Sequence, residues 1–402
     1  MASTFNSVSN ARPQEPSPTE TAPRRYRFGF VLSTALGNRT RYENFRRFAE
    51  RDSEVECVWA PVKHYIAPGE PDPFRRWPGA LRTRAIVLYQ SAPVLERLSS
   101  LDAVMIHMYE VDLLTAVRSL WASRPLRVIS SDDAPAADPN YPLHPVELLK
   151  PAWRRALRLR IDVWRARRAD LLIPFSKWAG DTLVEAAGVP LDRVRPVHVG
   201  LDLGLWRAAP KPEVEGARVK LLFVGADFER KGGADLLEAF LQERLGDVAE
   251  LHLVTQTAPS ALPNDVYVHA DLTANDPRLA ALYREADIFV MPTRSDLTPW
   301  AILEAMASGC AVVTTRVGGL GDLVVEGETG LFVGVGDVLG LTRALRSLVE
   351  DPPRRRAMGA AGRKVIENQY DASVNVPRIL DAMKAAVDTR ALREHRLAGA
   401  RR

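Results

Sequence analysis

Apolar and polar positions fall in blocks along this chain rather than alternating singly. The run "FGFVLS" (28–33) leads through a turn at Gly37 and Asn38 into the helical pattern "RYENFRRFAER" (41–51). Further apolar runs are "ECVWA" (56–60), "AVMIHM" (103–108), "RVISS" (127–131) and "DLLIPFS" (170–176). Short, continuously apolar runs mark strands buried on both faces, and such strands alternating with helices build a parallel sheet. A polar stretch holding Pro210, Pro212 and Gly216 (207–219) breaks the pattern and reads as a linker. The pattern then restarts with "KLLFVGA" (220–226) and the helical "ADLLEAFLQERL" (234–245). Later strands are expected at "ELHLVT" (250–255), "VYVHA" (266–270), "DIFVMPT" (287–293), "CAVVTT" (310–315) and "GLFVGV" (330–335), with the helix "PWAILEAMAS" (299–308) among them. The expectation is two α/β domains in series, 26–206 and 220–370, with a cleft between them. An unstructured tail (1–25) precedes them; helices and a basic tail (371–402) follow, crossing back to the first domain.

Composition narrows the classes. The chain has 402 residues, 46% hydrophobic and 26% charged, enough for two or three soluble domains. A formal net charge of +4 makes no case for a nucleic-acid partner. Cys57 and Cys310 stand far apart, with no disulfide or metal spacing, which fits a reducing compartment. No run approaches the length of a membrane-spanning helix, and residues 1–24 lack the apolar core of a signal peptide, so a cytoplasmic protein is expected.

Charge is concentrated at 150–168, where Lys150 and seven arginines face one acid, Asp162. Trp153, Leu157, Ile161 and Trp164 fall on one face of a helix there. Such a helix can lie on an anionic membrane surface, peripheral to it. The other reading buries the apolar stripe in the domain and leaves the arginines in water.

The chemistry is densest at 287–333. A strand ends at Pro292, a polar loop follows, and a helix begins at Pro299, a residue suited to a first turn. Helix N-termini present unpaired N–H groups and a positive dipole end, which favours an anion. Asp296 lies in the loop and Glu304 about one turn into the helix. This spacing can set one acid near a sugar and the other near a ribose, with phosphate at the helix start, since carboxylates accept from hydroxyl pairs. In "LLFVGADFERKGG" (221–233) a strand passes through a glycine turn at Gly225 to Arg230, Lys231 and a helix. Glycines let backbone N–H groups approach a phosphate, and lysine supplies a point charge.

These segments resemble the donor site of the glycosyltransferase family 4 group. Pro292, Glu304-Ala305-Met306-Ala307, Gly309, Val312-Val313, Gly318-Gly319 and Thr329-Gly330 match its signature in order. Asp296 stands where that pattern has Glu, Trp300 also departs from it, and Ala226 stands where it has Arg. The resemblance implies a GT-B fold: two Rossmann-like domains whose parallel sheets face across a cleft. It implies retaining transfer from a nucleotide-sugar donor to a sugar or lipid-linked acceptor, as in polysaccharide synthesis, without metal or cofactor. The catalytic residues it implies are Asp296, Lys231, Arg230 and Asp132, the last at a strand end where the family commonly has His. The implied donor contacts are Glu304, Gly225, Arg230, Lys231, Leu297, Thr298, Pro299, Trp300 and Gly37. Gly200, in "PVHVGLD" (196–202), would serve the interdomain crossover. Asp133, His107, Tyr109 and Glu110 are further cleft candidates. Two rivals remain: a degenerate protein that only binds nucleotide sugars, and a GT-B epimerase or phosphorylase.

Overall fold

The computed structural model describes residues 25–35, 38–66, 70–121, 125–130, 149–208, 216–242 and 244–400. Candidates Gly37, Asp132 and Asp133, most of the 1–25 tail and much of the 207–219 linker lie outside them.

The apolar blocks form two all-parallel sheets. The first has strands β1 (Tyr26–Ser33), β2 (Val55–Val62), β3 (Ala103–Ile106), β4 (Leu126–Ile129) and β5 (Leu171–Leu172), in the order β2-β1-β3-β4-β5. The second has β6 (Val219–Val224), β7 (Ala249–Val254), β8 (Val266–Val268), β9 (Ile288–Met291), β10 (Ala311–Thr315) and β11 (Gly330–Val333), in the order β11-β10-β9-β6-β7-β8. Helices cover both faces. Along β1, Phe28, Phe30 and Leu32 enter one apolar cluster while Val31 enters another on the opposite face. That double burial is why the run shows no polar alternation.

In each sheet the chain order reverses beside the first strand, between β1 and β3 and between β6 and β9. Ligands of open α/β sheets bind outside the carboxyl ends of the strands at such a reversal. Gly225, Lys231 and Asp296 follow β6 and β9, so the second sheet sets them at this crevice.

Two strands of chain cross between the domains side by side. Leu201 N–H donates to the Tyr370 carbonyl (2.7 Å), and Ala372 N–H donates to the Leu201 carbonyl (3.0 Å). A Cβ on Gly200 would strike Ala372, so glycine sets how closely the crossings run. The final helix, Ala372–Gly399, then packs Val376, Ile379, Leu380, Met383 and Val387 into the first domain's core. No described helix is long and apolar enough to cross a membrane.

Candidate functional site

The loop between β9 and the helix Trp300–Ala307 carries the site. Thr293 N–H turns back to the Met291 carbonyl (2.8 Å), and Arg294 N–H donates to the Arg230 carbonyl (2.9 Å), stitching this loop to the one after β6. Thr315 Oγ1, at the end of β10, donates to the Thr293 carbonyl (2.5 Å). Gly318 approaches from the other side with a φ of +54°, and a Cβ there would run into the Asp296 carbonyl. Gly232, at φ +79°, has the same relation to the Pro292 carbonyl. Both contacts require glycine, because L side chains disfavour this backbone region and leave no room.

Pinned in this way, the loop brings three predicted residues together. Lys231 Nζ pairs with Asp296 Oδ2. Arg230 Nη1 lies 3.7 Å from the same oxygen and donates to the Ser295 carbonyl at 2.6 Å. Arg230 also pairs with Asp227 at 3.1 Å. The Lys231 and Asp296 side chains are only 14% and 13% exposed, so the pair is largely withdrawn from water. Gly225 sits under the Lys231 stem. Sequence reasoning missed the support behind them, a fork of Arg294 onto Asp235 at 2.5 and 2.8 Å. Asp235 lies in the first turn of the helix Gly233–Gln242, which starts just after Lys231 and Gly232.

Pro299 takes the N-cap position, with the helix starting at Trp300 rather than at the proline. A cap residue needs no donor of its own, so the missing N–H costs nothing there. Trp300 is half-buried against the core of the second domain. Six of the eight residues of this helix are buried, Glu304 among them at 5% exposure. Burial pushes the Glu304 carboxyl up to about 8, against the opposing pull of the Tyr283 hydroxyl. A carboxyl so placed is ready for a ligand that donates hydrogen bonds to it.

The first domain faces this loop through two contacts. Ser176 lies against Gly319, and Trp178 N–H, at the start of the helix Lys177–Glu185, donates to Asp322 Oδ2 (2.8 Å). On the far side, Thr40 Oγ1 donates to Asn275 Oδ1 (3.0 Å), and Asn275 Nδ2 donates to Glu43 Oε2 (2.6 Å). Arg41, between Thr40 and that acid, is buried, donates to Ser130 and covers the Phe175 ring at 4.2 Å. Nothing in the sequence pattern singled out Asn275 or Arg41.

The remaining candidates separate. His107 follows β3, and burial holds it well below its ordinary range, helped by the charges of Arg41 and His64. Its Nδ1 has no hydrogen-bond partner. Tyr109 is held between the guanidinium groups of Arg158 and Arg165, at 4.2 and 4.3 Å, and so serves helix packing. Glu110 lies in the first turn of the helix Tyr109–Arg118. The basic segment is the helix Ala152–Arg167, of which only Ala166 is buried. Trp153 and Leu157 are 63% and 51% exposed, so the leading half of the apolar stripe is not core. Arg158 and Arg165 are not simply solvated either, because Asp162 and Asp112 hold them.

With this geometry in place, comparison with known proteins is informative. A family model described as "Glycosyl transferases group 1" matches residues 218–351, the whole span from β6 through the Asp296 loop to the end of the sheet. Over these residues the chain is similar to the group 1 glycosyl transferases. Around them, the chain is 30% identical over 221 residues to a glycogen synthase of Mycobacterium tuberculosis, covering 52% of this chain and 53% of that protein. It is 31% identical over 227 residues to a D-inositol 3-phosphate glycosyltransferase of Pseudarthrobacter chlorophenolicus, covering 51% and 53%. The chain thus spans about half the length of these curated relatives. Among solved structures, sucrose-phosphate synthase of Thermosynechococcus elongatus superposes with a TM-score of 0.70 at 17% identity, over 94% of this chain and 100% of that one. HepE of Anabaena, solved with UDP and glucose, gives 0.64 at 16% identity, over 90% and 100%. These likenesses extend beyond residues 218–351 to both sheets, and the fold is GT-B.

Proposed function

We propose that this chain is a glycosyltransferase that moves a sugar from a nucleotide-sugar donor to an acceptor hydroxyl with retention of configuration. Polysaccharide, glycolipid or cell-envelope glycan synthesis is the setting that suits it. The observation that carries the reading is the meeting of Lys231, Arg230 and Asp296 where β6 and β9 end, with Glu304 buried in the helix that follows. Arg230 and Lys231 lead into the helix at Gly233 and the Asp296 loop into the helix at Trp300, and cations and helix N-termini both favour a diphosphate.

The steps follow from the ion pair. An incoming diphosphate competes with Asp296 for Lys231 and Arg230, and the released carboxylate turns to the hydroxyls of the donor sugar. Glu304 accepts from the vicinal ribose hydroxyls. The bond from the anomeric carbon to the diphosphate oxygen then breaks. The acceptor oxygen bonds that carbon from the same face, and its proton passes to a diphosphate oxygen. Lys231, Arg230 and the helix ends stabilise the charge that gathers on the leaving diphosphate. A thermal-shift screen with UDP-, GDP-, ADP- and dTDP-sugars tests the donor, since a bound ligand stabilises by mass action. A shift with one nucleotide class supports the reading, and no shift with any of them overturns it.

The exposed stripe of the helix Ala152–Arg167 favours a second element of this reading: peripheral contact with an anionic bilayer that carries a lipid-linked acceptor. Trp153 and Leu157 would enter the interface, with Arg154 and Arg160 beside them in solvent. Each basic residue near such a surface contributes on the order of 1 kcal/mol. Sedimentation with phosphatidylglycerol vesicles at low salt should carry the protein down, less so after charge reversal at Arg154 and Arg160. Absence of binding at low salt leaves a soluble acceptor.

A further inference from the structure

In the first sheet, β2, β3, β4 and β5 follow one another in one direction, so right-handed connections set the long helices that link them on one face. These helices are Gly79–Gln90, Tyr109–Arg118 and Ala152–Arg167. Val87 and Val111 share an apolar cluster with Val31 and Val104 there, and Ala166 shares one with Leu172. The middle helix touches both of the others, so the three form a continuous layer. The helix Asn38–Ala49 and the final helix cover the opposite face.

The outward side of this layer repeats one arrangement. Leu81, Arg84 and Leu88 are exposed at helical spacing on the first helix. On the second, Leu114 and Arg118 are exposed, with Trp121 just past its end at 79%. The exposed Trp153, Leu157 and Arg160 continue the pattern on the third. Every exposed charged residue of the three helices is an arginine, whereas their acids, Glu110, Asp112 and Asp162, are buried or half-buried. Single exposed apolar side chains are ordinary, but adjoining stripes of them mark an interaction surface.

The chemistry of the layer selects its partner. Nucleic acid would engage the arginines but leave the leucines in water. A second copy of the chain would set arginine against arginine across the contact. An anionic bilayer takes both, with apolar side chains at the acyl boundary and arginines among the head groups. We propose that the whole helical layer, and not one helix of it, is a docking surface for an anionic bilayer. This widens the contact drawn above at Ala152–Arg167 and rests on that reading. The strands of the first sheet then lie along the bilayer, and the cleft at their carboxyl ends opens beside the head groups.

The first two helices supply the test, because the narrower contact does not involve them. The probe is sedimentation with phosphatidylglycerol vesicles at low salt, with phosphatidylcholine vesicles as the neutral counterpart. The wild-type protein should bind the anionic vesicles and not the neutral ones. Arg84→Glu combined with Arg118→Glu should weaken that binding about tenfold or more. Leu88→Ser combined with Trp121→Ser should also weaken it about tenfold or more, by removing apolar anchors and no charge. All four side chains are exposed, so melting temperatures should stay at the wild-type value. Arg393→Glu combined with Arg396→Glu makes the same change of charge on the exposed end of the final helix and should leave binding unaltered. If the variants of the first two helices bind as the wild-type protein does, while charge reversal at Arg154 and Arg160 abolishes binding, the contact is confined to one helix and the proposal falls alone. Equal loss in the Arg393 and Arg396 variant reduces the effect to net charge and overturns it as well. Absence of wild-type binding at low salt defeats this proposal together with the narrower contact.

Discussion

At the scale of single residues, the site is governed by two carboxyls in opposite circumstances. Asp296 has a lysine and an arginine beside it, whereas Glu304 is set in an apolar helix and holds its proton up to about pH 8. Because its folded value lies above the ordinary carboxylate range, Glu304 favours the fold fully at low pH. That contribution fades as pH rises through about 8, at about 1.4 kcal/mol per pH unit between the two values. Glu304→Gln should therefore gain stability over the wild-type protein as pH increases, which chemical denaturation at pH 6 and pH 9 checks. The same change should weaken donor binding, and Glu304→Ala should cost about 1–3 kcal/mol in calorimetry. Lys231 acts on the other side of the donor. Lys231→Ala should depress turnover at saturating donor far more than it weakens nucleotide binding, because diphosphate charge is greatest as the leaving group departs. Wild-type turnover in that variant would remove lysine from the mechanism. It also leaves Asp296 with Arg230 as its cation, so a small fall in melting temperature is expected alongside.

Elements set these residues in place through backbone contacts. Gly318, after β10, lies against the Asp296 carbonyl at a φ that alanine resists. Gly318→Ala should push the Asp296 loop away from Lys231, reducing turnover with the sheet intact. Unaltered kinetics beside an unchanged circular dichroism spectrum would count against that account. The strands behind the loop were legible from sequence, because runs buried on both faces carry no polar interruptions, and every run named became a strand. β5 shrank to Leu171–Leu172 because Pro174 ends its pairing soon after. The pairing of Lys231 with Asp296 was not legible, since 65 positions separate them and it takes the parallel pairing of β6 with β9 to set their loops side by side. The helix Ala152–Arg167 defeated periodicity, because an apolar stripe states which residues share a face, not what covers it.

At the scale of the whole molecule, the two sheets must stay in register across the cleft for donor and acceptor to meet. The chain joins the domains at the crossings of Leu201 and Ala372, and the contacts of Asn275 and Asp322 tie them again at a distance. Of these, Asn275 is the most exposed to test. It holds a φ of +64°, a region that asparagine tolerates but most residues avoid, and it spends both side-chain groups on the first domain. Such a conformation costs free energy that the contacts to Thr40 and Glu43 offset. Glycine accepts the same backbone angle without a side chain, so Asn275→Gly separates the latch from the loop shape. Because Asn275 lies away from Lys231 and Glu304 in the chain and its side chain faces the helix Asn38–Ala49, nucleotide affinity should stay within about threefold of wild type. Turnover should fall about tenfold or more, because closure brings the acceptor side onto the donor and small misplacements are costly. Small-angle scattering of the variant should show a larger radius of gyration, and a second substitution, Asp322→Ala, should enlarge it further by freeing Trp178 N–H. A variant with wild-type turnover and an unchanged radius would mean that the crossings alone hold the cleft closed.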